Sequence, residues 1–179
     1  MRASNLKIVF AGSVGAGKTT AIQTVSDIEV VQTEEVATDY VSQMKQKTTV
    51  AMDYGQIILE DNTLLHLYGA PGQKRFDFMW EILSLGALGV IILIDAASST
   101  PFDQVDEYME GFKQQMLDRS MVIGISRTDL NDQFKLDEYR AYINRYHSGI
   151  PLFTLDAREG QHVRVLVKTL LYRIDPWVV

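Results

Sequence analysis

Leu6-Lys7-Ile8-Val9-Phe10-Ala11-Gly12-Ser13-Val14-Gly15-Ala16-Gly17-Lys18-Thr19-Thr20-Ala21-Ile22 is the stretch whose reading decides the fold. Leu6 to Ala11 reads as a short buried strand, and the residues from Thr20 onward can open a helix. Between them, Gly12 to Thr19 satisfies the pattern G-x-x-x-x-G-K-[ST] at every fixed position. The glycines let backbone N–H groups turn inward and approach phosphate oxygens closely. The helix start adds unpaired donors and the positive end of a dipole. Lys18 is then placed to reach the β- and γ-phosphates, and the Thr19 hydroxyl to bind Mg²⁺. The expected phosphate-binding residues are therefore Gly12, Val14, Gly15, Ala16, Gly17, Lys18, Thr19 and Thr20. The competing reading is a glycine-rich turn that binds nothing, and the complete pattern in a strand–helix context disfavours it.

Composition narrows the class. A chain of 179 residues is large enough for a real core and is most simply one domain, 1–179. Its 46% hydrophobic and 22% charged residues are ordinary for a globular protein. The net charge of −6 argues against a general nucleic-acid binder, which usually carries a basic field. With no cysteine there is no disulfide, thiol catalysis, Cys-based zinc site or prenylation. Leu85 to Ile94, the longest apolar run, is too short to span a bilayer. The expectation is a cytoplasmic protein without a membrane anchor of its own.

Apolar runs alternate with helical patterns along the chain. Strands are predicted over about 6–11, 50–60, 62–68, 88–95, 121–126 and 150–154, and helices over about 17–26, 74–84, 101–117, 134–146 and 159–173. Val163, Leu166, Val167, Leu170, Leu171 and Ile174 form one stripe at the helical period, read as core. Phe102, Val105, Met109, Phe112 and Met116 form another, after Thr100 as N-cap and Pro101 at the first helical position. The unbroken run from Leu88 to Asp95 suits a strand covered on both faces. Strands 50–60 and 62–68, separated only by a turn at Asp61-Asn62, predict a hairpin. The fold class is α/β: a mostly parallel six-stranded sheet with one antiparallel strand and helices on both faces. Ligands in such sheets sit beyond the carboxyl ends of the strands.

Four further segments stand in order behind the glycine loop. They are Thr49-Val50-Ala51-Met52-Asp53-Tyr54, Gly69-Ala70-Pro71-Gly72-Gln73-Lys74-Arg75-Phe76, Ser126-Arg127-Thr128-Asp129 and Asp156-Ala157-Arg158. The first resembles the T-I-G-V-D-F of the Rab branch, and the second the D-T-A-G-Q-E-R-F of Ras-like GTPases. The third stands where [NT]-K-x-D belongs, and the fourth where S-A-K belongs. Order and spacing of all five match a small GTPase, with its three-layer G domain, over essentially the whole chain. Pro71 and the non-acidic residue at 69 narrow the likeness to the prokaryotic Ras-like group that includes the gliding-motility GTPase MglA.

The resemblance assigns roles. Thr49 would close on the γ-phosphate and, with Thr19, on Mg²⁺; segment 30–49 would loosen when the γ-phosphate leaves. Gly72 would give its N–H to the γ-phosphate, and Gln73 would orient the attacking water. Asp129 would read guanine, because a carboxylate only accepts and guanine presents two donors. Ala157 would give its N–H to the guanine O6, and the Arg127 stem would cover the base. Ser126 and Arg158 complete the base end. The expected function is a switch hydrolysing GTP slowly, in bacterial polarity or motility signalling, with a Roadblock/LC7-type activator and an unidentified effector. The alternative is a nucleotide-dependent interaction module with negligible hydrolysis.

Three departures from the family matter. Gly69 stands where relatives carry a carboxylate supporting Mg²⁺; Asp53 is either its substitute or a hairpin charge facing solvent. Val14 crowds the route of an arginine entering in trans. No arginine precedes Thr49, where Lys47 and Thr48 stand, which leaves Arg75 as the nearby guanidinium. Ser126 has one donor where Asn would have two. Trp80 and Phe78 read equally as partner-facing or as core, and His66 reads as structural.

Overall fold

The computed structural model describes residues 6–36 and 49–175. The strands are β1 (Leu6–Gly12), β2 (Val31–Val36), β3 (Thr49–Ile58), β4 (Leu64–Gly69), β5 (Gly89–Asp95), β6 (Met121–Ser126) and β7 (Leu152–Leu155). The α-helices are α1 (Lys18–Val25), α2 (Phe78–Ser84), α3 (Pro101–Gly111), α4 (Lys113–Leu117), α5 (Leu136–Ile143) and α6 (Gly160–Ile174), with 3-10 turns at Lys74–Phe76 and Thr128–Leu130. The strands form one sheet in the order β2-β3-β4-β1-β5-β6-β7. Only the β2·β3 and β3·β4 pairs are antiparallel, so β3 alone runs against the rest.

Burial explains the two apolar layers. A strand alternates its side chains between faces, so β1 sends Ile8 and Phe10 to one side and Val9 and Ala11 to the other. Ile8 and Phe10 pack with Ile22 of α1 and with Val163, Leu166 and Leu170 of α6. Val9 and Ala11 pack with Trp80 of α2 and with Val105, Tyr108 and Met109 of α3. The wholly buried β5 therefore reads as a continuous apolar run. The stripe on α6 is core from Val163 to Leu171, each fully buried Leu contributing roughly 1.5–3 kcal/mol, but Ile174, read as its last member, is exposed at the end of the helix.

Several elements differ from the sequence reading. The sheet has seven strands rather than six, because Val31–Val36, the start of the segment read as a switch loop, pairs along β3 as an edge strand. Residues 37–48, with Lys47 and Thr48, lie outside the described residues. The helix predicted over 101–117 breaks at Phe112 (φ −117°, ψ 31°), giving α3 and α4. Pro101 takes the first helical position, but Thr100 makes no side-chain cap bond. The hairpin forms, with Asn62 in the left-handed region (φ 64°) and the Asp61 carboxylate accepting from the Thr63 N–H.

The topology gathers the motifs. Strands β1, β5, β6 and β7 are parallel neighbours, so Gly12, Asp95, Ser126 and Leu155 end together on one edge. The loops that follow them carry the glycine segment, Asp129 and Ala157. This is the edge where an open parallel sheet takes a ligand.

Candidate functional site

The phosphate loop has its shape for steric reasons. Gly12 holds φ 147°, and a Cβ there would lie 2.4 Å from the Leu93 carbonyl oxygen. Gly17 holds φ 97°, and its Cβ would meet the Ala157 methyl at 2.9 Å. Neither position tolerates a side chain. The Lys18 Nζ folds back under the loop and donates to the carbonyls of Gly12 (2.7 Å) and Ser13 (2.8 Å). Burial lowers the pKa of Lys18 to about 8, against the pull of the Asp53 carboxylate, which raises it. Val14 and Gly15 are exposed at the tip, Ala16 is buried beneath, and Thr20 sits half-buried in the first turn of α1.

Beside the loop, Thr19 Oγ1 donates to Asp53 Oδ2 at 2.5 Å. Asp53 is half-buried and turned toward the loop rather than toward solvent. It faces Gly69 directly across the β3·β4 ladder. A Cβ at Gly69 would come within 3.0 Å of Asp53 Cβ and Oδ2 and 3.2 Å of Ile22 Cδ1. The carboxylate from one strand fills the room a side chain on the other would need. The two oxygen donors are hard and adjacent, and Mg²⁺ is held by such oxygens together with water and phosphate. The residues therefore fit the ion. Thr49 opens β3 opposite Val36; its side chain lies outside the described residues.

After β4 the chain lies flat on the loop. A Cβ at Gly72 would fall 2.6 Å from the Val14 nitrogen and 2.7 Å from the Gly12 oxygen. Gln73 follows, exposed. The Arg75 guanidinium rests over the Phe76 ring, 4.8 Å from its centroid. Trp80 is core, and its Nε1 donates to the Pro71 carbonyl at 3.1 Å. Phe78 is exposed. His66 is structural, its Nδ1 2.7 Å from the Tyr54 hydroxyl.

At the end where the sequence reading expects the base, the buried Ser126 hydroxyl donates to the Ala16 carbonyl at 2.8 Å, tying β6 to the glycine loop. Arg127 adopts φ 57° and donates to Asp95 Oδ2 at 2.8 Å, with Nη1 close to Gly15. Asp129, Thr154, Asp156, Arg158 and His162 line an opening of about 280 Å³. Arg158 Nη2 lies 2.6 Å from Asp156 and 4.0 Å from Asp129. The Arg158 hydrogen bonds hold Asp156 down at about 2. Ala157 packs under Gly17, and its carbonyl accepts from Thr24 Oγ1.

Two residues of this edge escaped the sequence reading. Asp95 is buried and anchors Arg127. Its signal was legible: an acid closing a buried strand at the ligand-bearing edge. Gln104 Oε1 accepts from the Ser13 hydroxyl (3.1 Å) and faces the Asp95 N–H at 3.3 Å. Nothing in the sequence marks a glutamine on α3 as a neighbour of the loop.

Residues 28–149 match the family described as "Conserved hypothetical ATP binding protein". The chain belongs to this family. The matched span begins after the phosphate loop and ends before Ala157. Over 133 residues the chain is 29% identical to an uncharacterized protein of Methanocaldococcus jannaschii, covering 74% of this chain and 76% of that one. It is 26% identical to the human Ras-related protein Rab-27B over 93% of this chain and 78% of the relative. A Dictyostelium discoideum Ras-related protein, Rab-32C, is 32% identical over 56% of this chain and 41% of its own length. Among solved structures, the G domain of the T. maritima FeoB iron transporter superposes with a TM-score of 0.65 at 16% identity. It covers 94% of this chain and 98% of that domain. This member of the family thus has a P-loop G-domain fold. Among its described residues no helix is long and apolar enough to cross a membrane.

Proposed function

We propose that this chain binds guanine nucleotide with Mg²⁺ and hydrolyses GTP slowly, working as a nucleotide-dependent switch. The observation that carries the reading is the Ser126 hydroxyl on the Ala16 carbonyl. That bond locks the segment bearing Asp129 to the loop bearing Lys18, so one ligand with a base and phosphates spans both. The acceptor-only Asp129 suits the two donors of guanine, whereas adenine would leave it unpaired. The relatives named Rab support the same reading. Adenine nucleotide is the second reading, favoured by the description of the family as ATP-binding. Competition of labelled GDP by GTP and by ATP decides between them: displacement by ATP at concentrations comparable to GTP overturns guanine selectivity.

Thr19 and Asp53 would hold the metal, with Thr49 as a third contributor; bound Mg²⁺ would offset phosphate charge. Gly72, against the loop, is positioned to offer its N–H toward a γ-phosphate, and Gln73 follows to orient water. Among the described residues, with Val14 at the tip and Arg75 on the Phe76 ring, no arginine is committed to the developing charge. A supplied arginine adds about 10³–10⁵-fold in such enzymes, and unaided Ras turns over at only about 10⁻⁴ s⁻¹. The isolated chain is expected at or below that scale. Single-turnover hydrolysis checks it; several turnovers per minute would mean another group completes the site, and no measurable hydrolysis favours the pure interaction module. A role in prokaryotic polarity or motility, with a Roadblock/LC7-type activator, rests on the MglA-like resemblance alone.

A further inference from the structure

Asp129 is not the only charged group on the opening of about 280 Å³. Asp156 and Arg158 flank Ala157 in the loop between β7 and α6, and both line it too. Asp156 grips Arg158 from within the same turn. Its Oδ1 accepts from the Arg158 backbone N–H (2.9 Å) and from Nε (2.8 Å), and its Oδ2 accepts from Nη2 (2.6 Å). A guanidinium is a planar, rigid fork of N–H donors. Its side face, Nε with one Nη2 proton, is spent on Asp156. Its end face, one proton from each Nη, has no hydrogen-bond partner among the described residues. Nη2 stands 4.0 Å from Asp129 Oδ2, within ion-pair range but beyond a hydrogen bond.

Guanine presents more than the two donors that suit Asp129. Around the ring O6 follows N1, N7 follows O6, and both are acceptors. They call for donors beside the carboxylate that takes N1–H and the 2-amino group. Ser126 has one hydroxyl proton and gives it to the Ala16 carbonyl. Arg127 Nη1 is committed to Asp95, and His162 Nδ1 accepts from the Asp156 N–H. Arg158 is the group whose unused donors come as a matched pair, next to Asp129. In DNA an arginine fork on O6 and N7 is the commonest specific contact to guanine. O6 has lone pairs enough for both this fork and an N–H from Ala157. Taking the ligand to be the guanine nucleotide proposed above, we propose that Arg158 reads the O6/N7 edge of the base, with Asp156 as the residue that positions it. Adenine carries an amino group in place of O6, so the same fork would meet a donor. Rejection of adenine then has two sources, an unpaired Asp129 and a donor facing a donor.

The probe is 7-deaza-GDP, in which a C–H replaces N7 and the Watson–Crick edge is kept. Isothermal titration of the full chain should show it binding roughly fivefold weaker than GDP, the scale of one arm of a bidentate contact. Arg158→Ala loses the whole fork, so it should weaken GDP roughly tenfold and bind the two nucleotides alike. Its preference for GDP over ADP should fall severalfold as well. Asp156→Ala frees the guanidinium and should narrow the difference between GDP and 7-deaza-GDP. Both side chains stand at the surface, and circular dichroism checks that the variants stay folded. Equal binding of GDP and 7-deaza-GDP by the unaltered chain overturns the proposal. So does an equal loss for both nucleotides in Arg158→Ala, the signature of a diffuse charge or of a guanidinium stacked on the base. The full difference retained in Asp156→Ala overturns the positioning role of Asp156. A chain that binds ADP as tightly as GDP refutes the guanine reading itself. One that prefers GDP yet does not distinguish 7-deaza-GDP refutes only the role of Arg158.

Discussion

The phosphate end and the base end of the proposed nucleotide site are built in opposite ways. At the phosphate end the groups are preformed: Lys18 is buried on two carbonyls, and Asp53 is bonded to Thr19. At the base end, Asp129 is two-thirds exposed and stands 4.0 Å from a mobile-length partner, Arg158, whose shorter contact is with Asp156. Preorganisation removes ordering costs that binding would otherwise meet. The phosphate end is thus suited to supply affinity, and the base end discrimination. A surface pair such as Arg158–Asp129 contributes little until a ligand excludes water from it.

Breaking the base end should have the largest effect, on selectivity. A site that hydrogen-bonds a particular base rejects the wrong one by about 10⁴-fold. Asp129→Asn should erase that preference and favour xanthine nucleotide, whose C2 carbonyl wants a donor; competition binding with GTP, XTP and ATP reads it. Breaking the phosphate end should instead lower affinity for every nucleotide together. Lys18→Ala removes the cation from a charged, desolvated contact, which costs roughly 2–5 kcal/mol. Isothermal titration with GDP should show about 100-fold weaker binding or worse, with the folded far-UV spectrum retained.

The same lysine gives a pH test. Its folded pKa, near 8, is depressed by burial from 10.5. Between those values the unfolded chain binds more protons than the nucleotide-free fold. Stability without nucleotide should therefore rise with pH across that window, and the cost of the buried charge is fully present below it. Binding a polyphosphate favours the ammonium, so GDP affinity should fall as pH rises above about 8. Titrations across about pH 7–10 check the sign, and Lys18→Ala should abolish this lysine-dependent component.

Smaller effects sharpen the contrast. Asp53→Ala should raise the Mg²⁺ needed for GTP binding about tenfold, the scale of one charged hydrogen bond. Gly69→Asp alone should destabilise the chain, because its Cβ meets Asp53 and Ile22. The double variant Asp53→Gly/Gly69→Asp moves the acid across the ladder and should recover most of the magnesium response; no recovery would return Asp53 to a purely structural bond with Thr19. Ser126→Ala deletes the brace between the two ends, worth about 1 kcal/mol. Stopped-flow release of labelled GDP should quicken about fivefold, with the phosphate end otherwise intact.

The sequence by itself determined the glycine loop, the alternation of strands and helices and the antiparallel direction of β3. Each is a local pattern: a spacing, a period or a short turn. It missed β2, because Val31-Gln32-Thr33-Glu34-Glu35-Val36 is polar along much of its length and takes strand form by pairing with β3. It placed the break at Phe112 nowhere, since the apolar stripe of α3 runs on into α4. Only the tertiary structure decided where the Asp53 side chain points. The choice depends on register, which sets Asp53 opposite Gly69 and turns its oxygen to Thr19, 34 positions away in the chain. The same is true of Trp80 and Gln104. Their neighbours come from separate elements brought together by packing, and no period within one segment encodes which side chains meet across two.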